Sequence, residues 1–236
     1  MQWGDVDRCR MLIANGADVN AKDSSGRTPL QQAVGFGVPR EKKIVQLLLD
    51  NGADVNPVDE GYTPLDWAAW AGNLELVQLL VDRGADIHAG RGDPLRLAAA
   101  EGWTEVVEFL LNKGADVDGV SQAGWNAICY AAENDHADTV ELLLNRGVRV
   151  DAACAAGMKE LLLFAARHEL RSLADRIRAS TDAKVLVNMV DTDGYTPLHN
   201  AVDEGKQRMV AFLIECGADV NARAPGGITP LHWAAL

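Results

Sequence analysis

The chain is poor in the features that mark membrane proteins, nucleic-acid binders and disulfide-stapled domains. No stretch of it approaches the roughly 20 consecutive apolar residues that a membrane-spanning helix needs. Cations are scarce: 22 Lys and Arg stand against 34 Asp and Glu, a formal net charge of -12. Nucleic-acid binding rests on clustered Lys and Arg that neutralise phosphates, so neither nucleic acid nor an anionic membrane surface is an expected partner. The N-terminus, with Asp5 and no long apolar run, does not read as a signal peptide, and the sequence holds no Asn-x-Ser/Thr acceptor. Its four cysteines, Cys9, Cys129, Cys154 and Cys216, show no Cys-x-x-Cys spacing. Reduced thiols in a cytoplasmic or nuclear compartment are therefore expected.

Chemistry-bearing motifs are equally thin. Five histidines are present, but His88, His136 and His168 are scattered, with no Cys or carboxylate at ligand spacing, whereas zinc needs three or four converging ligands. His168-Glu169 begins like His-Glu-x-x-His, yet Ser172 stands where the second His would be required. No phosphate-binding Gly-x-x-x-x-Gly-Lys loop occurs, and no Ser-His-Asp set is readable. The expectation is no catalysis, no metal and no cofactor.

What is present is repetition. Gly-Ala-Asp-Val-Asn or a close variant recurs at Gly16, Gly52, Gly84, Gly114 and Gly217, with a weaker copy at Gly147; the steps are 36, 32, 30 and 33 residues, then 70. A period of this size indicates stacked supersecondary units rather than one globular core. A second phrase keeps register with the first: Thr28-Pro29-Leu30, Thr63-Pro64-Leu65, Asp93-Pro94-Leu95, Thr196-Pro197-Leu198-His199 and Thr229-Pro230-Leu231-His232. It reads as a helix start, because Thr or Asp can accept from first-turn amides and Pro at the first helical position gives up an N-H that has no partner there. Further on, runs such as Leu74 to Val81 put Leu74, Val77, Leu80 and Val81 on one helical face, and Gly84 ends that helix. Each unit is thus helix, turn, helix and an extended loop leading to a β-turn such as Ser24 to Arg27.

The pairing of these two phrases resembles the ankyrin repeat family over nearly the whole chain. The resemblance implies an all-α helix-turn-helix solenoid with β-turn fingers, whose fingers and first helices line a concave face that grips other proteins. About six full repeats plus terminal half repeats are expected in a single array over 1-236. These are a half repeat at 1-22, repeats at 23-57, 58-89, 90-120 and 121-152, a degenerate repeat at 153-190, a repeat at 191-223 and a half repeat at 224-236. His199 and His232 fall in the family's structural His position, and Cys129 replaces it in its own repeat.

Candidate partner-binding residues are those the framework leaves free. Finger tips carry Arg27, Tyr62, Trp125 and Tyr195. Ends of first helices carry Phe36, Trp70, Glu101, Glu133, Asp203 and Glu204. Exposed Tyr and Trp dominate binding hot spots, so Tyr62, Trp70 and Trp125 are expected to be accessible together; the alternative for Tyr62 and Tyr195 is packing on the adjacent finger. Trp67 and Trp233 are expected in the core, as is Cys9. With Asp59, Glu60 and Asp193 nearby in the pattern, the expected partner is a protein with basic and apolar contact residues.

The degenerate repeat keeps an apolar helical face at Leu162, Leu170, Leu173 and Ile177 but lacks the Gly between helices and the Gly-Ala-Asp after them. A displaced loop is expected from Ser180 to Lys184. Its Lys159, Arg167, Arg171, Arg176, Arg178 and Lys184 leave open a small anionic ligand, and the array is alternatively a segment of a larger enzyme or regulator. The half repeats at the two ends are complementary, with Val6, Leu12 and Ile13 on one and Leu231, Trp233 and Ala234 on the other, which leaves head-to-tail self-association open beside a longer array.

Overall fold

The structure is a computed structural model; it describes residues 5-35, 41-89, 92-150 and 193-235, together with 157, 161-162, 164-165, 168, 173, 175-177 and 187-190. Two compact units divide the chain, Met1-Asp116 and Val117-Leu236. Both are built of short helix pairs, and no strand occurs among the described residues.

Unit 1 opens on α1 (Asp5-Ala14), followed by the pairs α2 (Pro29-Val34) with α3 (Glu41-Asp50), α4 (Pro64-Trp70) with α5 (Leu74-Asp82), and α6 (Pro94-Ala100) with α7 (Thr104-Asn112). Unit 2 holds α8 (Ala127-Glu133) with α9 (Ala137-Asn145), then α10 (Pro197-Asp203) with α11 (Gln207-Glu215), and α12 (Pro230-Ala234). Within each unit, first helices pack on their own second helix and on a neighbouring first helix, as α4 does on α5 and α6. Helices as short as α2 and α4 cannot stand alone in water, so packing of the apolar face supplies their stability. That face is fully buried at Leu30, Leu65, Leu95, Ile128 and Leu198 in the first helices and at Val45, Val77, Val107, Val140 and Leu213 in the second.

The Thr-Pro-Leu phrase does what its chemistry implies, and its fourth letter completes the device. Thr63 Oγ1 accepts from the Asp66 N-H (3.2 Å) while Asp66 Oδ2 accepts from the Thr63 N-H (2.7 Å), a reciprocal capping box. Gln31 takes the same part for Thr28, and His199 Nδ1 accepts from the Thr196 N-H at 3.3 Å. Three residue types share one job because each offers an acceptor at the right reach. In the repeat of α8 the cap is Asn126, and the buried Cys129 thiol donates to its Oδ1 at 3.1 Å.

The Gly-Ala-Asp-Val-Asn phrase has three roles. Gly84 holds φ +88, the left-handed region in which a side chain is strained, and the following Ala85 N-H returns to the Leu80 carbonyl to close the helix end. Its Asp folds the loop on itself, as when Asp54 Oδ1 accepts from the Asn56 N-H. Its Asn then ties one repeat to the next. Asn20 donates to the Gly52 carbonyl (3.1 Å) and accepts from the Asp54 N-H (2.8 Å), and Asn56 does the same to Gly84 and Asp86.

The described residues of the degenerate repeat keep features of the framework. Leu161, Leu162, Phe164 and Ala165 are helical and buried, as are Leu173 and Ile177. Asn188 keeps the ladder: it donates to the Gly217 carbonyl (3.1 Å) and accepts from the Asp219 N-H (2.6 Å). The expected displaced loop from Ser180 to Lys184, and Leu170, lie outside the described residues. Of the basic cluster only Arg176 is described. Its guanidinium donates to the Val148 and Leu144 carbonyls, closing the C-terminal end of α9.

Candidate functional site

Tyr62, Trp67, Trp70 and Trp103 of unit 1 gather at α4 and the turn after α6. Trp67 meets Tyr62 at 5.3 Å between ring centroids and Trp70 edge-on at 6.0 Å. Trp70 is the outermost member and is 47% exposed; its indole Nε1 donates to Glu101 Oε1 at 3.1 Å. Trp103, 43% exposed, donates its own Nε1 to the Trp70 carbonyl at 2.9 Å. The Trp103 ring lies flat against Gly72, where a β-carbon would come within 2.3 Å of its Cδ2, so only glycine admits it. Two tryptophans thus present large surfaces held in place by hydrogen bonds at their polar ends.

Tyr62 and Trp125 are half-buried rather than largely accessible. Tyr62 leans on Trp67, and Trp125 lies 5.3 Å from Tyr130. Tyr195 packs on His199 and on Trp233. Trp67, Trp233 and Cys9, expected in the core, are also half-buried, because a stack two helices thick leaves one edge of each ring or thiol near solvent. Arg27 is engaged: its Nε donates to Asp59 Oδ2 of the next finger at 2.7 Å, so this candidate serves to tie fingers together. Glu133, Asp203 and Glu204 are exposed, and Glu204 is paired with Lys206. Phe36 lies outside the described residues.

Trp103 is absent from the candidates that the sequence singles out. It occupies the register of Asn73, whose Oδ1 caps α5 by accepting from the Leu76 N-H at 3.1 Å. Helix α7 has no side-chain cap hydrogen bond at that place. A cap of this kind contributes roughly 1 kcal/mol, and a large aromatic in a register that Asn73, His136 and Lys206 fill with polar side chains is the signal that would have singled it out.

Beneath the aromatic cluster, on the inner side of α4, Asp66 is fully buried and its Oδ1 has no hydrogen-bond partner among the described residues. Burial pushes this carboxyl up to about 6, against the pull of its hydrogen bonds from Thr63 and with a further push from Asp93. Burial also raises Asp93, which caps α6 and pairs with Arg96 at 2.7 Å. His168, scattered in sequence, meets Asp135 at 2.8 Å while stacking on Phe164, a pairing that its spacing of 33 residues hides. No cluster of three or more metal-ligating side chains occurs among the described residues. No helix among them is long and apolar enough to cross a membrane.

This geometry of capped first helices, glycine-closed second helices and loop ladders defines a class, stacked helix-turn-helix repeats. A family model of ankyrin repeats matches residues 1-91, 88-154 and 153-236, and the chain belongs to that family. Curated relatives include an ankyrin repeat-containing protein of Schizosaccharomyces pombe, 39% identical over 24% of this chain and 28% of that protein. Ankyrin repeat protein 14 of vaccinia virus is 49% identical over 18% of each chain. Serine/threonine-protein kinase 12 of Arabidopsis thaliana is 38% identical over 31% of this chain but only 16% of the kinase. The match therefore spans less than a third of each of these relatives. Ankyrin repeats are generally protein-interaction modules and typically carry no catalytic machinery of their own.

Proposed function

We propose that this chain is a non-catalytic module that binds a partner protein through the tryptophan face of unit 1, with Trp70 and Trp103 as anchors and Glu101 as the charge that orients the contact. The observation that carries this reading is the pair of indoles, each over two-fifths exposed and each fixed by its Nε1 hydrogen bond. Leaving that much aromatic surface in water is unfavourable by about 25 cal/mol for each Å² that a partner would cover, and fixed rings lose little entropy on binding. The net charge of -12 and the exposed Glu101 favour a partner whose contact residues are basic and apolar. A cytoplasmic or nuclear setting accords with four cysteines that show no Cys-x-x-Cys spacing. The anionic-ligand alternative loses support at Arg176, whose guanidinium is committed to two carbonyls.

The test is an affinity capture followed by calorimetry on the captured partner, comparing the intact chain with Trp70→Ala, Trp103→Ala and Trp125→Ala. The first two are expected to weaken binding by about 2 kcal/mol each, and the third, half-buried in unit 2, to leave it within about 0.5 kcal/mol. Full retention of partners by the double Trp70→Ala/Trp103→Ala variant, with its fold intact by circular dichroism, refutes the site. Self-association is the second reading, favoured by the exposed Leu12 (60%) and Leu231 (74%).

A further inference from the structure

The fourth residue of the Thr-Pro-Leu phrase has two ends, and the second end reaches toward the following repeat. Gln31 accepts from Thr28 through Oε1 and donates through Nε2 to the Pro57 carbonyl at 3.2 Å. His199 Nδ1 accepts from the Thr196 N-H, so the hydrogen sits on Nε2, which lies 3.1 Å from the Ile228 carbonyl. Asp66 fills the same place in its repeat. Its Oδ2 takes the accepting role toward Thr63, and its Oδ1 remains, fully buried and without a partner among the described residues. That oxygen faces the next finger: a β-carbon on Gly92 would come within 2.7 Å of it, and Gly92 precedes Asp93 as Ile228 precedes Thr229. An aspartate has a hydrogen to offer there only when it is protonated.

We infer that Asp66 is a proton-controlled clasp between α4 and the finger that leads into α6. Protonated, its Oδ1 supplies the donor that Gln31 and His199 supply elsewhere; ionised, it sets an unpaired buried charge against that finger and loosens it. Among the described residues, the charged groups facing it are Asp93, which opposes ionisation, and Arg96, which favours it but is already paired with Asp93. Helix α2 carries no charged residue; on α5, Glu75 is bound to Lys42 and Asp82 to Lys113; on the neighbouring finger, Asp59 is bound to Arg27. None of these supplies a free cation to hold the Asp66 charge. The carboxyl's rise from 3.8 to about 6 agrees with this geometry.

The sign follows from proton counting. Between pH 3.8 and about 6 the folded chain holds a proton that the unfolded chain has released, so stability falls as pH rises through that window and stays low above it. Between pH 5 and 7.5 this one group changes the unfolding equilibrium roughly tenfold. Urea unfolding of the intact chain and of Asp66→Asn, whose amide keeps both an acceptor and a donor, is the test. The ratio of their unfolding constants is expected to change about tenfold over that range, with the variant the more stable at pH 7.5. Carbon-13 titration of the Asp66 carboxyl in the unmutated protein, assigned by the signal missing from the variant or by selective labelling, is expected to show a midpoint near 6. A ratio that does not change with pH, or a carboxyl midpoint below about 4.5, overturns the inference, and the titration decides even if the variant fails to fold.

Discussion

Replacing Gly72 by alanine tests how the tryptophan face is built. Gly72 holds φ +70, and a β-carbon there would lie 2.3 Å from Cδ2 and 2.4 Å from Cε2 of Trp103. Two costs add. A side chain in the left-handed region costs about 1 to 2 kcal/mol, and the indole must lift away, a displacement in the range of about 1 to 3 kcal/mol for overpacking. Gly84 separates the two costs, because it holds φ +88 and a β-carbon there would meet nothing within 4 Å. Gly84→Ala is therefore expected to cost about 1 to 2 kcal/mol and Gly72→Ala about 2 to 5 kcal/mol. Urea unfolding followed by far-ultraviolet circular dichroism gives both values. Tryptophan fluorescence gives a second readout, since lifting Trp103 also breaks its bond to the Trp70 carbonyl and should red-shift the emission of the Gly72 variant alone. If Gly72→Ala is no more destabilising than Gly84→Ala and leaves emission unchanged, Trp103 is not held as described and the anchor it provides is lost from the proposed surface.

Asn188→Ala removes both the donor to Gly217 and the acceptor for Asp219, and is expected to cost about 1 to 2 kcal/mol in urea unfolding; a change under about 0.5 kcal/mol would mean the degenerate repeat is not tied to its successor by this residue. Self-association is expected to appear as a mass that grows with concentration in light scattering and to be abolished by Leu231→Asp, a substitution at a 74% exposed position that spares the packed Trp233; a mass that stays monomeric at the highest soluble concentration refutes it.

The helix starts and stops are legible in the sequence because they rest on local chemistry. Thr63, Pro64 and Gly84 act within a few residues of themselves, and periodicity repeats the signal in register. What stays hidden depends on neighbours about thirty residues away, the length of one period. Arg27 stands at a finger tip, where its N-H bonds Asp23 four residues back, yet it is Asp59 on the next finger that takes its guanidinium at 2.7 Å. Tyr62 has the pattern of an accessible tip, but Trp67 lies against it, a packing role that the sequence leaves open. Trp103 escapes notice because its register holds residues of no one type, Asn73, His136 and Lys206 in other repeats, and only the fold shows its ring across Gly72. Asn188 survives in a repeat whose other letters have eroded, so Val187-Asn188 is the end of the phrase without its beginning. Trp70 and Glu101 both stand out in the sequence, but not the hydrogen bond that joins them.

The asparagine ladder asks nothing of its neighbour except main-chain atoms: a glycine carbonyl and an aspartate N-H. The repeats that follow Asn20, Asn56 and Asn188 therefore offer their predecessors the same socket. If the stretch between Asn20 and Asn56 were copied or excised as one period, the residue on the near side would find the same two atoms waiting, at Gly84 and Asp86 in place of Gly52 and Asp54. A chain joined this way can gain or lose whole periods without inventing a new joint, while the residues that meet a partner change independently of those that hold the links.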